Sequence, residues 1–232
     1  MQRRAHPKCD RNRAPITYLI VVLGMAICCS PVLAHQPRIV EPGTTRVSVA
    51  QPEVSKAYYG TLDGKPQLFE VRSDAAFMLY VNVLVPNIPG IRKDVSAEIR
   101  NGKGKLIGRL DAAHSRWTVF HEPFGGDDYY QGPEFRQRVE AGAYTITVSS
   151  PRNRSKYVLA IGDKEEFPPR EIARTLVVLP RLKADFFDES RLSVLWSYTG
   201  AFLAFIVLAV ASVVYLLVKL LRRWWHPVRR QE

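Results

Sequence analysis

The chain has 232 residues and a net charge of +11, with 33 Lys or Arg against 22 Asp or Glu. The basic excess lies at the two ends: residues 1–34 carry five basic residues against one acidic, and residues 191–232 carry six against one. The 22 basic and 20 acidic residues between the ends nearly balance, which excludes the concentrated positive surface of a nucleic-acid-binding protein. All three cysteines lie between positions 9 and 29, so the rest of the chain has no disulfide framework and no cysteine-based metal or nucleophile chemistry.

The first 34 residues have the three parts of a secretory signal peptide. Five basic residues precede an apolar stretch at 16–30, and Val32 and Ala34 occupy the positions that a signal peptidase recognises. We therefore predict a signal peptide at 1–34, cleaved after Ala34. An uncleaved signal anchor is an alternative that exports the following chain in the same way. A lipoprotein signal at Cys28 or Cys29 is a further alternative, although lipidation requires a small residue before the cysteine.

Residues 35–162 are predicted to form an extracytoplasmic β-sandwich. Short segments in which apolar and polar residues alternate are separated by turns rich in Gly, Pro, Asn and Asp, with no helical pattern between them. Such a series indicates an all-β fold of antiparallel sheets packed face to face. The predicted strands lie at 46–49, 68–72, 77–85, 95–99, 105–110, 117–120, 135–139, 143–148 and 157–161. The continuous apolar run at 77–85 predicts a central strand covered on both faces, and 95–110 is predicted to be a hairpin with its turn at 101–104. The Gly-rich segment 125–133 is predicted to be a loop.

Residues 163–192 are predicted to form a partly helical juxtamembrane stalk. Pro168 and Pro169 end the sheet-forming region, and apolar residues then recur at helical spacing from 170 to 179. Pro180 is expected to end this helix because proline disrupts a helix interior. Its apolar side would rest on the sandwich or at the outer membrane boundary.

Residues 194–218 form a run of 25 uncharged residues. As a helix with about 1.5 Å rise per residue the run reaches about 37 Å, more than the apolar bilayer core of about 30 Å. We predict a transmembrane helix at 193–219 and a short basic cytoplasmic tail at 220–232, since basic residues after a span favour the cytoplasmic side. The predicted membrane anchors are the aromatic and basic residues at its two ends: Trp196, Tyr198, Lys219, Arg222, Arg223, Trp224 and Trp225. This topology predicts a single-pass protein of a bacterial cell membrane with its N-terminal domain outside the cytoplasm.

The closing part of the sandwich region resembles the bacterial pre-peptidase C-terminal (PPC-like) domains. The resemblance rests on Asp-Asp-Tyr-Tyr at 127–130, on the segment Phe-Arg-Gln-Arg-Val-Glu-Ala-Gly-Ala-Tyr-Thr-Ile-Thr-Val at 135–148, and on Tyr-Val-Leu-Ala-Ile at 157–161. It covers about 37 residues and implies a β-sandwich of jelly-roll or PPC type. It also implies a secreted accessory module of a kind that often accompanies catalytic domains and sometimes binds carbohydrate or calcium.

Three carboxylates are the candidate metal ligands. Asp127 and Asp128 lie in the Gly-rich segment, and Glu134 follows six residues later. Calcium takes six to eight oxygen ligands, which carboxylates and loop carbonyls on such a turn can supply. The alternative is a solvent-facing turn that the aspartates stabilise through their own backbone.

Three aromatic residues of the same segment are candidate ligand-binding residues. Phe124, Tyr129 and Tyr130 would each present a flat apolar face to a sugar ring or a partner protein if a turn holds them at the surface. The alternative is that they cap the open end of the sandwich.

Three functional hypotheses follow. The first is a non-enzymatic, membrane-anchored protein for binding or assembly at the cell envelope, with another envelope protein or a glycan as partner. The second is a calcium-dependent carbohydrate-binding membrane anchor. The third is an envelope hydrolase. His114 and Ser115 do not support it as a base and a nucleophile, because neighbouring residues of a strand point to opposite sides. The lipid bilayer is an expected partner, whereas no nucleic acid and no cofactor other than calcium is expected. The small residues Gly200 and Ala204 would allow two transmembrane helices to pack closely as a homodimer.

Overall fold

The structure is a computed structural model that describes residues 35–225, apart from the side chains of residues 220 and 223–225. The predicted signal peptide and the last seven residues of the predicted tail lie outside the described residues, as do the side chains of the predicted anchors Arg223, Trp224 and Trp225. Within the described range the contacts divide at residue 200, so that the sandwich and the segment up to Gly200 form one compact unit and the helix beyond belongs to another.

Eleven strands in the described residues form two sheets. One sheet has six strands in the order β1-β3-β11-β5-β9-β8, namely β1 (Gln36–Ile39), β3 (Lys56–Thr61), β11 (Lys156–Ile161), β5 (Phe77–Pro86), β9 (Asp127–Val139) and β8 (Thr118–Glu122). The other has five strands in the order β2-β4-β10-β6-β7, namely β2 (Arg46–Val49), β4 (Gln67–Ser73), β10 (Gly142–Ser149), β6 (Ser96–Asn101) and β7 (Leu106–Leu110). The two sheets pack as a β-sandwich, as predicted.

The strand pairs are antiparallel except at one edge of each sheet. β1 pairs parallel with β3, and β2 pairs parallel with β4. These exceptions arise because the chain alternates between the sheets at its start, so that one strand of the opposite sheet separates each parallel pair. Parallel neighbours need such a crossover connection, whereas the antiparallel pair β6 and β7, predicted as a hairpin at 95–110, is joined by a short turn.

The main core lies between the two sheets. Phe69, Ile99 and Ile146 from the five-stranded sheet meet Leu79 and Leu159 from the six-stranded sheet, and each is fully buried. Burying a side chain of this size stabilises the fold by about 1.5–3 kcal/mol. The alternating apolar positions of the predicted strands therefore face this core.

A second core covers the outer face of the six-stranded sheet. Helix α1 (Pro169–Asp185) and the residues after it place Leu179, Leu182 and Phe186 against that face, where Tyr59 and Val158 project. β5 and β11 are consequently buried on both faces, as predicted for 77–85. The predicted stalk thus begins as an integral layer of the domain.

Pro180 does not end α1, and the prediction that it would is wrong. The helix continues for five residues to Asp185. An interior proline costs about 3 kcal/mol because it removes a hydrogen bond and crowds the preceding turn. Burial of Leu179 and Leu182 on either side of the proline offsets this cost.

The predicted loop at 125–133 is also wrong over most of its length. A four-residue turn at 123–126 joins β8 to β9, and β9 then runs through Gly132 and Pro133. These two residues oppose one residue of β5, forming a β-bulge in which proline needs no ladder hydrogen bond. The side-chain amide of Asn82 donates to the carbonyls of Gly132 and Pro133 at 3.3 and 3.1 Å. A Cβ at Gly132 would lie 2.6 Å from the Trp117 ring, so only glycine fits there.

The apolar C-terminal segment forms helix α2 (Tyr198–Trp225), preceded by a 3-10 helix (Arg191–Trp196). Within Tyr198–Lys219 an 18-residue window has a mean hydropathy of 2.9, and none of that window is buried inside the protein. It is the one helix in the described residues that is long and apolar enough to cross a membrane. This helix begins at Tyr198, because Ser197 has an extended backbone that separates it from the 3-10 helix. The transmembrane segment at 193–219 stays a prediction.

Candidate functional site

The start of the apolar helix is bound directly to the sandwich at a site that we call the junction. The junction consists of the turn at 123–126, the 3-10 helix, and residues 197–200. The backbone N–H groups of Tyr198 and Thr199 donate to the carbonyls of Pro123 and Phe124 at 3.4 and 3.3 Å, and the Thr199 hydroxyl donates to Phe124 at 2.8 Å. The first N–H groups of a helix have no partner within it, so the turn supplies what the helix lacks.

The side chain of Glu122 holds this turn in shape. Its two carboxylate oxygens accept hydrogen bonds from the backbone N–H groups of Phe124 and Gly125 at 2.8 and 2.7 Å. Burial raises the pKa of Glu122, and these two backbone donors act in the opposite direction. Gly126 has φ +71°, and a Cβ there would lie 3.0 Å from the Cβ of Ser197, so the turn and the helix start are closely packed.

A buried ion pair connects the turn to α1. Lys183 Nζ lies 2.6 Å from Asp127 Oδ1, and both side chains are 3 % exposed. Lys183 Nζ also lies 3.4 Å from the Gly126 carbonyl oxygen and 3.5 Å from Glu189 Oε2. Burial raises the pKa of Asp127 to about 6, although the Lys183 ammonium lowers it. Because a buried charge without its partner is strongly destabilising, this pair fixes the position of α1 against the turn.

Large apolar side chains are exposed where the chain enters the apolar helix. Leu192, Leu195, Trp196 and Tyr198 are 68, 53, 93 and 64 % exposed, all within seven residues. The 3-10 helix that carries three of them is held against the helix start, since a Cβ at Gly200 would lie 2.1 Å from the Leu195 carbonyl oxygen. Trp and Tyr favour the boundary between bilayer and water. The predicted anchors Trp196 and Tyr198 are therefore exposed, as residues at such a boundary would be.

Two of the predicted anchors lie near the C-terminal end of the apolar stretch of α2. Lys219 and Arg222 are both exposed on α2. The apolar stretch is thus bounded by aromatic residues at its start and by basic residues at its end. Membrane-spanning helices commonly have this distribution.

The structure does not bring the three candidate calcium ligands together. Asp127 and Asp128 are neighbours in β9 and therefore face opposite sides of the sheet. Asp127 binds Lys183, Asp128 Oδ1 lies 2.7 Å from His121 Nδ1, and Glu134 accepts a hydrogen bond from the Tyr80 hydroxyl at 3.1 Å. No group of three or more His, Cys, Asp or Glu side chains that could hold a metal occurs among residues 35–225.

The three candidate aromatic residues do not form one platform. Tyr129 is buried in the second core, where its hydroxyl lies 3.0 Å from that of Tyr59 and burial raises its pKa well above the ordinary value. Tyr130 packs on the core between the sheets, with Lys93 Nζ 4.1 Å from its ring centre. Phe124 packs edge to face on Phe167 in the turn. Residues 129 and 130 lie in strand β9 and not in the predicted loop. Neighbouring side chains of a strand face opposite sides, so Tyr129 and Tyr130 cannot share one surface.

One serine–histidine contact occurs among the described residues, and it is closed to a substrate. His35 Nδ1 and Ser55 Oγ are hydrogen bonded, Ser55 is 1 % exposed, and burial lowers the pKa of His35. The cavity beside His35 has a volume of about 30 Å³, which is enough for one water molecule. His114 and His121 are exposed and lie beside Asp111 and Asp128 instead.

Sequence reasoning missed Lys183 and the structural role of Glu122. The available signal for Lys183 was its place on the apolar face of a helix, four residues after Leu179 and next to Leu182. A lysine on such a face needs a buried partner. The assumption that the helix ended at Pro180 removed Lys183 from that face.

No family model and no curated protein matches the chain. Among solved structures, 37 chains match it. One is the pre-peptidase C-terminal domain of a collagenase from Bacillus anthracis, which is 9 % identical with a TM-score of 0.33 over 53 % of this chain and 98 % of that one.

Two further solved structures belong to proteins of other kinds. A surface-associated copper-binding protein from Methylomicrobium album BG8 is 9 % identical with a TM-score of 0.27, over 52 % of this chain and 98 % of that one. A carbohydrate-binding module of a lichenase from Cellvibrio mixtus is 11 % identical with a TM-score of 0.22, over 46 % of this chain and 70 % of that one. A pre-peptidase C-terminal domain, the type that residues 125–161 resemble, is thus among the structures similar to this chain. The ligands of these proteins are not assigned to this chain.

Proposed function

We propose that this chain is a single-pass protein of a bacterial cell membrane that holds a β-sandwich outside the cytoplasm and acts by binding rather than catalysis. The observation that carries the proposal is the junction. The sandwich supplies the hydrogen-bond acceptors for the N–H groups of Tyr198 and Thr199, the residues that lead into the apolar helix.

Length and surface chemistry support the membrane as the partner of the helix. The 22 residues from Tyr198 to Lys219 extend about 33 Å at about 1.5 Å per residue, against an apolar bilayer core of about 30 Å. The exposed Leu192, Leu195 and Trp196 would lie in the headgroup region of the outer leaflet. Lys219 and Arg222 at the far end favour the cytoplasmic side.

The partner of the sandwich is proposed to be another envelope protein or a glycan. The closed Ser55–His35 contact supports a binding role over hydrolysis, because a nucleophile needs space for its substrate. No observation in the described residues favours the calcium-dependent alternative, since its three carboxylates have separate partners.

Cysteine labelling tests the topology. The three natural cysteines are replaced by serine, and single cysteines are introduced as Asp63→Cys in the exposed turn before β4 or as Gln231→Cys in the tail. A membrane-impermeant maleimide applied to spheroplasts should label position 63 and should reach position 231 only after lysis. Labelling of position 231 in intact spheroplasts, or release of the chain by alkaline carbonate, would contradict the proposal.

A further inference from the structure

A cleft of about 450 Å³ opens between the first two strands and the N-terminal end of α1. Five cationic and three acidic side chains line it. The cations are Arg38, Arg46, Lys56, Arg170 and Arg174, and the acids are Glu41, Glu166 and Glu171. A volume of this size matches the pockets that proteins use for small molecules.

Lys56 is a buried cation without a carboxylate partner. The residue is 5 % exposed, and its ammonium donates to the backbone carbonyls of Gln51 and Val54 at 2.8 and 3.2 Å. No Asp or Glu oxygen of the described residues lies within 4.0 Å of it. An ammonium has three donors, so one remains for a ligand in the cleft.

Two of the three acids are neutralised by cations that do not line the cleft. Arg181 binds Glu41 through two hydrogen bonds of 2.8 and 2.9 Å, and Lys164 lies 2.6 Å from Glu166. Arg170 and Arg174 are exposed at the rim, and the closest acid to Arg174 is Glu171 at 3.8 Å. Among the lining cations, Arg46 is paired with Glu70 outside the cleft at 2.5 Å. The cleft therefore retains the positive charge of Lys56, Arg170 and Arg174.

The remaining acid has an oxygen without a hydrogen-bond donor. Glu171 Oε2 forms an ion pair with Arg38 Nη1 at 2.9 Å, in which neither N–H of that nitrogen is aligned for a hydrogen bond to the carboxylate. Oε2 is buried and accepts no hydrogen bond. A buried acceptor of this kind favours a ligand that brings a donor, such as a hydroxyl group.

We propose that this cleft binds a small anion that carries hydroxyl groups, a sugar acid or a sugar phosphate. Lys56 Nζ and the guanidinium groups of Arg170 and Arg174 hold its carboxylate or phosphate, and Glu171 Oε2 accepts from a neighbouring hydroxyl. Guanidinium groups bind both kinds of anion with charge-assisted hydrogen bonds. The sugar acid and the sugar phosphate share this chemistry.

Titration calorimetry of the full chain in detergent micelles at neutral pH and low salt tests the cleft. The probes are glucuronate, glucose 6-phosphate and neutral glucose. We expect at least one anion to bind and glucose not to bind, and the anion that binds identifies the source. Absence of binding by both anions at about 10 mM, which corresponds to less than about 3 kcal/mol, or equal binding of glucose, overturns the proposal.

Variants locate the binding in the cleft. Lys56→Met and Arg174→Gln should each weaken the anion about tenfold or more, as expected for loss of a hydrogen bond to a charged group. Arg152→Gln, at an exposed arginine in the turn before β11, is the matched control and should leave the affinity unchanged. If Lys56→Met fails to fold, Arg174→Gln decides alone, because its side chain is 55 % exposed. Equal weakening by Arg152→Gln overturns the assignment.

The inference rests on the proposed function in one respect only, namely that the cleft faces the outside of the cytoplasm and binds its ligand there. Calorimetry does not depend on topology. Anion binding by a chain that is labelled on the wrong side would overturn the proposed location alone. A correctly placed chain that binds no anion would overturn the cleft alone.

Discussion

Replacement of Lys183 by methionine should destabilise the domain strongly. The Lys183 ammonium and the Asp127 carboxylate are 2.6 Å apart with both side chains 3 % exposed, so solvent does not screen the pair. Methionine keeps most of the length of lysine and leaves Asp127 as a buried carboxylate without its cation. Removing one partner of such a pair costs about 3–5 kcal/mol.

The size of this loss should depend on pH, because Asp127 can take up a proton. Burial raises its pKa from 3.8 to about 6 even beside Lys183, and loss of the ammonium raises the pKa further. A carboxyl whose pKa is raised on folding stabilises the folded state below its unfolded pKa, and this contribution is lost as pH rises through the folded pKa. We expect Lys183→Met to cost about 3 kcal/mol at pH 8 and clearly less at pH 5.

Denaturation of the full chain in detergent micelles, followed by near-ultraviolet circular dichroism at both pH values, measures the loss. The double variant Asp127→Asn, Lys183→Met removes both charges and should lie within about 1 kcal/mol of the parent. Lys164→Met breaks an exposed ion pair and should leave the melting temperature unchanged. An equal loss at pH 5 and pH 8, or a double variant no more stable than the single one, would refute the role of the buried pair.

Three further changes test the junction and the metal hypothesis. Gly126→Ala should lose about 1–2 kcal/mol and more than Gly43→Ala, because both glycines have positive φ but only Gly126 faces Ser197; equal losses in the melting experiment would remove that contact. Thr199→Val should lose about 1 kcal/mol with its hydrogen bond to Phe124, and an unchanged stability would show that the bond is dispensable. Chelation of divalent cations should leave the melting temperature unchanged, whereas stabilisation by calcium that Asp128→Asn abolishes would restore the calcium hypothesis.

The sandwich could be predicted from sequence because its strands alternate apolar and polar residues with a period of two. The hairpin of β6 and β7 and the doubly covered strand β5 are confirmed where that period, or a continuous apolar run, was clear. The apolar helix could be predicted because its length exceeds that of most buried helices.

Errors occurred where residues that usually interrupt regular structure are held in place by tertiary contacts. Pro180 lies inside α1 between buried leucines, and the pair Gly132-Pro133 lies in a bulge whose carbonyls bind Asn82. Ser197 interrupts a continuous apolar run because the turn at 123–126 binds the residues after it. Local propensity is a weak guide at such positions, since partners distant in sequence decide the conformation.

The junction and the cationic cleft were beyond sequence reasoning for the same reason, yet both depend on α1. Glu171 in the cleft and Lys183 beside the junction are 12 positions apart in this helix, which corresponds to about 18 Å along its axis. Substitutions separated by more than about 10 Å without shared partners affect stability independently. A rigid helix can thus carry a ligand-binding end and an anchoring end whose residues change separately, provided that its packing on the six-stranded sheet is kept. The buried leucines beside Pro180 preserve that packing, so the proline that misled the helix prediction lies between the two sites, nine positions after Glu171 and three before Lys183.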